Sequence, residues 1–361
     1  MRKRKKRDTE QHPVSAAAYG MTVLILAVLL AASVLISITF GNADISVADV
    51  YKVVLRELFH IRKFDAYHTG AVHDVVWLIR FPRVMLAIAV GMALSVCGAV
   101  MQAIVKNPLA DPYVLGISSG AEMGATLEIL FGAGSFFGAG AVGAMAFLGA
   151  MLTSFAVLFI ANTGGPSNAG KMILAGMAVS AVCSAFSSFF IYLANNKDAT
   201  AQITFWMMGS LGGASWSDVP GILPIVLAGV IVFWTQSRNL NLMLLGDETS
   251  ITLGTNLQKI GSWYMVLASL MIGIAVYSAG TIGFVGLIVP HVVRMFFGTD
   301  HRRLIPVTAL VGAVFLIWAD VACRVILPNS EMPIGILISM IGAPCFIYLM
   351  ASKSYGFGGS Q

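Results

Sequence analysis

"RFPRVMLAIAVGMALSVCGAVMQAIVKNPLADPYVLGISSGA", residues 80–121, decides how this chain folds. Two arginines, Arg80 and Arg83, stand three residues apart, and behind them 84–105 runs on without a charge. A spanning helix needs about 20 mostly apolar residues, so this run is long enough to cross a bilayer. "VKNPLADP" (105–112) then stops it, because two prolines and Asn107 end one helix and restart another. A second apolar run begins at 114. Span, proline-bearing reversal and span again are the pattern of a polytopic membrane protein.

The rest of the chain agrees. Of 361 residues, 58% are hydrophobic and 11% charged, where a soluble domain carries about a quarter charged. Ten segments meet the length and apolarity of a span: 18–40, 84–105, 114–132, 140–161, 172–194, 219–237, 260–280, 282–297, 304–327 and 332–351. The piece 199–211 is too short to cross and reads as a partial or re-entrant helix before span six. The uncharged stretch 129–170 is broken at the glycine-rich "FGAGSFFGAG" (131–140). "GSFFG" (134–138) and "GTIGFVG" (280–286) are read as places of close backbone approach, the second also as a tight turn between spans seven and eight. The fold class is all-α integral membrane: a basic tail at 1–17, a ten-span domain at 18–351, and a second tail at 352–361.

Charge sets the orientation. Six of the 22 Lys and Arg sit in "RKRKKR" (2–7), read as a cytoplasmic anchor against anionic headgroups rather than a nucleic-acid patch. The charge-free stretch 14–43 exceeds a signal-peptide core of about 7–15 residues, so it reads as a retained first span. With both termini in the cytoplasm, 14 of the 22 basic residues fall inside and eight outside; without the tail the division is even. The outer face is therefore unusually basic. Lys52, Arg56, Arg62, Lys63, Arg80 and Arg83 lie in the outer loop 41–83, nearly balanced by Asp44, Asp49, Glu57, Asp65 and Asp74.

Signs of catalysis are missing. "GPSNAGKM" (165–172) fits G-x-x-x-x-G-K, but Met172 stands where a phosphate loop needs Ser or Thr, and no strand precedes it. Lys171 reads more simply as a flank of span five. No HExxH, GxSxG or EF-hand pattern occurs. The four cysteines, Cys97, Cys183, Cys323 and Cys345, are far apart in apolar stretches and read as buried small hydrophobes. No catalytic residue, cofactor or metal ligand is expected. Carboxylates within spans are few (Glu122, Glu128 and Asp320), which leaves little of the relay an ion-coupled carrier needs. Asp320 has the helical spacing to pair with Arg324.

The stretch 80–121 resembles the FecCD-type permeases of binding-protein-dependent ABC importers for ferric siderophores, haem and cobalamin. So do "GTIGFVGLIVPHVVRMFFGTDHRRLIPVTALVGAVFLIWADVACR" (280–324), "MPIGILISMIGAPCFIYLM" (332–350) and "LLGDETSITLGTNL" (244–257), in the family's order. Before residue 78 the resemblance is weak, because the outer loop is longer and more charged. The resemblance implies the type II-like, cobalamin-permease-like fold in the cell membrane. It also implies a second permease copy or paralogue, a cytoplasmic ABC ATPase dimer, and an extracytoplasmic binding protein that delivers an iron–siderophore complex. Haem or cobalamin is the alternative ligand, and an ion-coupled carrier the rival class.

Residue roles follow from the same source. Read alone, Arg80 and Arg83 snorkel to headgroups at a helix end. The family's R-x-P-R and AD-x-x-x-R imply instead that Arg80, Arg83 and Arg324 meet glutamates of the binding protein, where fixed charge guides encounter and register. The cytoplasmic loop 244–258 reads as a short helix, with Asp247 and Glu248 at its positive N-terminal end and Gly254 as its stop. In the family this segment docks on the ATPase, which implies contact through Gly246, Asp247, Glu248, Leu253 and Gly254.

Overall fold

The computed structural model describes residues 15–163, 168–245, 257–327 and 330–352. The described residues are mostly helical, and no strand occurs among them. Predicted span one becomes α1 (Ala16–Ser37), N-capped by the Ser15 hydroxyl. An unpredicted amphipathic helix, α2 (Val47–Phe59), follows within the outer loop, with Ser46 capping Asp49 N and Val50, Val53 and Val54 buried. A π-helical stretch, Asp74–Arg80, leads without interruption into α3 (Phe81–Val105). Together with the preceding turn they form one 35-residue helix, 94% of whose most apolar window is buried.

α3 is the axis of the molecule. The remaining helices are α4 (Ile117–Phe131), α5 (Ala141–Asn162), α6 (Ala169–Ala194), α7 (Lys197–Met207), α8 (Val219–Thr235), α9 (Ser237–Leu244), α10 (Leu257–Ala279), α11 (Val285–Phe297), α12 (His301–Val325) and α13 (Ile334–Ser352). α12, α8, α10 and α11 pack round α3, while α4, α5 and α6 form a second group joined to it through α10. Glycine decides these crossings. A Cβ on Gly98 would overlap the Gly286 carbonyl, one on Gly91 the Gly312 carbonyl, and one on Gly120 the Thr153 side chain. Backbones of α3 with α11, α3 with α12, and α4 with α5 thus approach as closely as lipid-embedded helices require.

The predicted glycine contacts are corrected in part. Within "GSFFG" Gly134 is buried and a Cβ there would overlap the Met145 side chain, whereas Gly138 meets nothing within 4 Å and has φ +67°, so only its end of the motif serves as a surface turn. Gly132, φ +63°, ends α4 and bears out the break in the uncharged stretch.

Six predicted spans coincide with helices long and apolar enough to cross a membrane. Span six is bent by 59° between α8 and α9. Spans three and eight are shorter than predicted, at 15 and 13 residues. Their missing turns have a physical reason. The chain after α3 folds back as a 3₁₀ turn, Pro112–Leu115, before α4 starts. Residues 280–284 stay extended or bent before α11, with Gly280 at φ +67° and Phe284 at φ +65°. Segment 199–211 holds a short helix as predicted, α7, which starts two residues earlier and ends at Met207. The Asn168 carboxamide caps α6 by accepting from Lys171 N at 2.8 Å, so Lys171 sits in an ordinary first helical turn.

Candidate docking and translocation site

Arg80, Arg83 and Arg324 are far apart in sequence yet converge at one end of the bundle. The π-helical stretch delivers Arg80, the first turn of α3 delivers Arg83, and the last turn of α12 delivers Arg324. Their exposures are 4%, 4% and 3%. Buried guanidinium groups need partners, and each has them. Arg80 donates to the carbonyls of Ile38, Thr39 and Ala43 at 2.9–3.2 Å, tying the end of α1 to the start of α3. Gly41 leaves room for this fork, since a Cβ there would lie 2.8 Å from it.

Asp320 stands between the other two. It is 1% exposed, accepts from Arg83 Nε at 2.8 Å and lies 3.1 Å from Arg324 Nε. Arg83 also reaches Glu331 at 2.7 Å, and Arg324 donates to the Phe40 carbonyl at 3.0 Å. The intrahelical pair of Asp320 with Arg324 was legible in the sequence. The bond from Arg83 to Asp320, across 237 residues of chain, was not. The forks predicted for docking therefore point into the bundle, and the solvent-facing member of the network is Glu331, whose side chain is 47% exposed. Sequence reading missed Glu331. Its signal was an acidic residue just ahead of a span, on the face already marked as basic.

Beside this network the end of α7, segment 280–284 and the start of α13 are laced by backbone bonds. Ser210 N donates to the Ala279 carbonyl, Ile334 N to the Gly209 carbonyl and Gly335 N to the Met208 carbonyl, at 2.8–3.1 Å. Against this junction lies an open groove of about 510 Å³, lined by Tyr113, Ser118, Met207, Met208, Thr281, Gly283, Gly335, Ile336, Ser339 and Met340. None of these side chains is charged, so the groove can hold a bulky ligand by contact and hydroxyl hydrogen bonds without fixing an ion.

The reversal at 105–112 is locked to the same junction. Asn107 Oδ1 accepts from Leu109 N at 2.9 Å, and the Asp111 carboxylate accepts from Tyr113 N at 2.8 Å and from the backbone of Phe284. The Tyr113 hydroxyl accepts from Ile282 N at 3.4 Å. The two motifs flanking the short helices α4 and α11 thus hold each other in place.

Gly246, Asp247, Glu248, Leu253 and Gly254 lie outside the described residues. The flanks of their loop are firmly seated: Leu240 and Met243 of α9 and Leu257 of α10 are buried. A small cavity there is bounded by Met243, Leu257 and Gly261, by Ile104 and Lys106 at the end of α3, and by Met172 of α6.

A bundle of apolar helices packed around one buried central helix, with a neutral groove at one end, is the architecture of a polytopic membrane protein. The family model of the FecCD transport family matches residues 29–352, and this chain belongs to that family. It is 38% identical to the uncharacterized ABC transporter permease protein YvrB of Bacillus subtilis, over 91% of this chain and 92% of that one. It is 40% identical to the hemin transport system permease protein HmuU of Yersinia pestis, over 76% and 83%. To the cobalamin import system permease protein BtuC of Halobacterium salinarum it is 39% identical, over 77% and 74%. An inward-facing ABC transporter structure assigned to the metal-chelate type superposes with a TM-score of 0.80 at 29% identity, covering 93% of this chain and all of the other. The chain is accordingly a multi-pass permease subunit of an ABC importer of the chelate, haem and cobalamin type.

Proposed function

We propose that this permease passes an iron–siderophore complex from an extracytoplasmic binding protein to the cytoplasm. ATP hydrolysis on a separate ATPase dimer drives the step, and a second permease copy or paralogue completes the pathway. The observation that carries this reading is the groove against the α7–α13 junction. It is broad and uncharged, as suits a bulky chelate already selected by another protein. Haem and cobalamin fit the same description, and the relatives that import them support that second reading equally.

In this reading both termini lie in the cytoplasm, and the end holding Arg80, Arg83 and Arg324 faces outward. Inward-pointing forks can serve docking by shaping the surface rather than by touching the partner. Arg83 fixes the exposed Glu331, and Arg80 and Arg324 fix the 37–43 turn. At the opposite end, Gly246, Asp247, Glu248, Leu253 and Gly254 contact the ATPase. A segment seated at both flanks on α9 and α10 transmits displacement to the end of α3. Uptake of labelled ferric siderophore, haem and cobalamin by the reconstituted importer tests the ligand. Ferric-siderophore uptake at rates well above the other two is expected, and preference for either of those would replace the siderophore reading.

A further inference from the structure

The outer segment between α1 and α3 is where the resemblance to the family's motifs was weakest, and neither docking nor translocation uses its histidines. Three of its side chains meet. Glu57 sits on the last turn of α2, and His60, at φ 51°, turns the chain back towards it. His68 follows the 3₁₀ turn Arg62–Tyr67, and His73 ends the short turn Ala71–His73 that leads into the central helix. His68 Nδ1 lies 2.7 Å and His73 Nε2 3.6 Å from the same oxygen, Glu57 Oε1. All three donor atoms fall within 4.8 Å of one another.

We propose that Glu57, His68 and His73 form a binding site for a divalent cation of the zinc class. Two imidazoles and one carboxylate are a donor set that zinc takes, leaving its fourth tetrahedral position to water. Bonds of about 2.0–2.1 Å place tetrahedral donors ~3.4 Å apart. The Glu57–His73 distance already matches that edge, and the Glu57–His68 hydrogen bond need open by less than 1 Å. The remaining nitrogen of His73 carries a further sign. Nδ1 lies 3.1 Å from Asp74 Oδ1, the carboxylate that orients a metal-bound imidazole and raises its basicity. Exposure is graded as a site needs: the His73 and Glu57 side chains are 11% and 12% exposed, and His68 at 55% leaves a way in for the ion. Calcium and magnesium prefer oxygen ligands and are rejected by two nitrogens. A bound ion joins the end of α2 to the start of the 35-residue central helix, so it staples the outer segment to the axis of the permease.

The test uses the full-length permease in detergent, without a polyhistidine tag, stripped by chelator and dialysed against Zn²⁺. One zinc per chain is expected, with Co²⁺ giving the intense visible bands of a four-coordinate site. His68→Ala, whose side chain lies mostly in solvent, removes a ligand without threatening the fold and lowers affinity at least tenfold. His68→Asp restores a donor and recovers part of it. Asp74→Asn keeps every ligand and lowers affinity about 10–100-fold. Zinc also slows trypsin cleavage at the exposed Arg62 and Lys63, which lie between the ligands. Zinc retained equally by the His68→Ala/His73→Ala double variant, or no stoichiometric zinc in the native chain, overturns the site and leaves the two histidines as hydrogen-bonding neighbours of Glu57.

Discussion

Asp320→Asn is the perturbation that reads the buried network most directly. Asp320 is 1% exposed and holds two guanidinium groups that are themselves 4% and 3% exposed. Removing its charge strands cationic groups out of water. Breaking a buried ion pair by deleting one partner costs about 3–5 kcal/mol, mostly because the other charge stays buried without compensation. Arg83 keeps Glu331, and Arg324 keeps the Phe40 and Ser37 carbonyls, so a loss towards ~3 kcal/mol is expected. Glu331 supplies the contrast, since its side chain is 47% exposed and water takes over much of its role. Glu331→Gln therefore costs about 0–1 kcal/mol. Reversible unfolding in mixed micelles measures both, and the Asp320→Asn/Arg324→Gln double variant should regain at least ~1 kcal/mol over the sum of the singles. Equal losses for Asp320→Asn and Glu331→Gln, or strict additivity in the double variant, would refute the reasoning that burial makes Asp320 the keystone.

Further expectations concern packing, the reversal loop and pH. Gly98→Leu drives a side chain into the Gly286 carbonyl and should cost ~1–3 kcal/mol or abolish folding, read by the yield of monodisperse protein, whereas Gly221→Ala, with nothing within 4 Å, should be neutral. Asp111→Ala leaves the backbone N–H groups of Tyr113 and Phe284 without their acceptor and should destabilise by about 1–3 kcal/mol per group; Asp111→Asn keeps an oxygen there and should lose far less in the same unfolding assay. Asp49 is held at about 2 by hydrogen bonds from Lys52, Ser46 and Tyr67. Because the folded value is depressed, the stabilisation it gives the α2 cap is present above the ordinary carboxylate value near ~3.9 and is lost as pH falls through about 2. Amide exchange in 46–59 should reveal no contribution from this group to opening between pH 8 and 5 and a rising one below pH 4, and Asp49→Asn should remove that step.

Length and apolarity located most helices, because a run such as 84–105 can satisfy its backbone in lipid only as a helix. Helices α4 and α11 came out shorter because hydropathy cannot tell a full span from a short helix with an apolar, folded-back lead-in such as 112–116 or 280–284. α2 was legible in principle: Ser46 and Asp49 form a cap, and Val50, Val53 and Val54 recur at helical spacing. It was passed over because the charges around it dominate the reading. The packing glycines were harder. Nothing in the sequence separates Gly98, pressed on Gly286, from Gly138, open to its surroundings; only the crossing partner does. The three arginines singled out in the sequence do lie together at one end of the bundle. Their direction was not legible, since sequence cannot say that Asp320 lies beside Arg83 as well as Arg324.

The central claim is that this chain moves its ligand only as part of an ATP-driven importer. The direct measurement is uptake of ferric siderophore into proteoliposomes holding the permease, with the ATPase and the binding protein each present or omitted. An importer permease gives uptake that needs ATP and all three proteins and is indifferent to proton and sodium gradients. Uptake by the permease alone, abolished by an uncoupler, would make it an ion-coupled carrier instead.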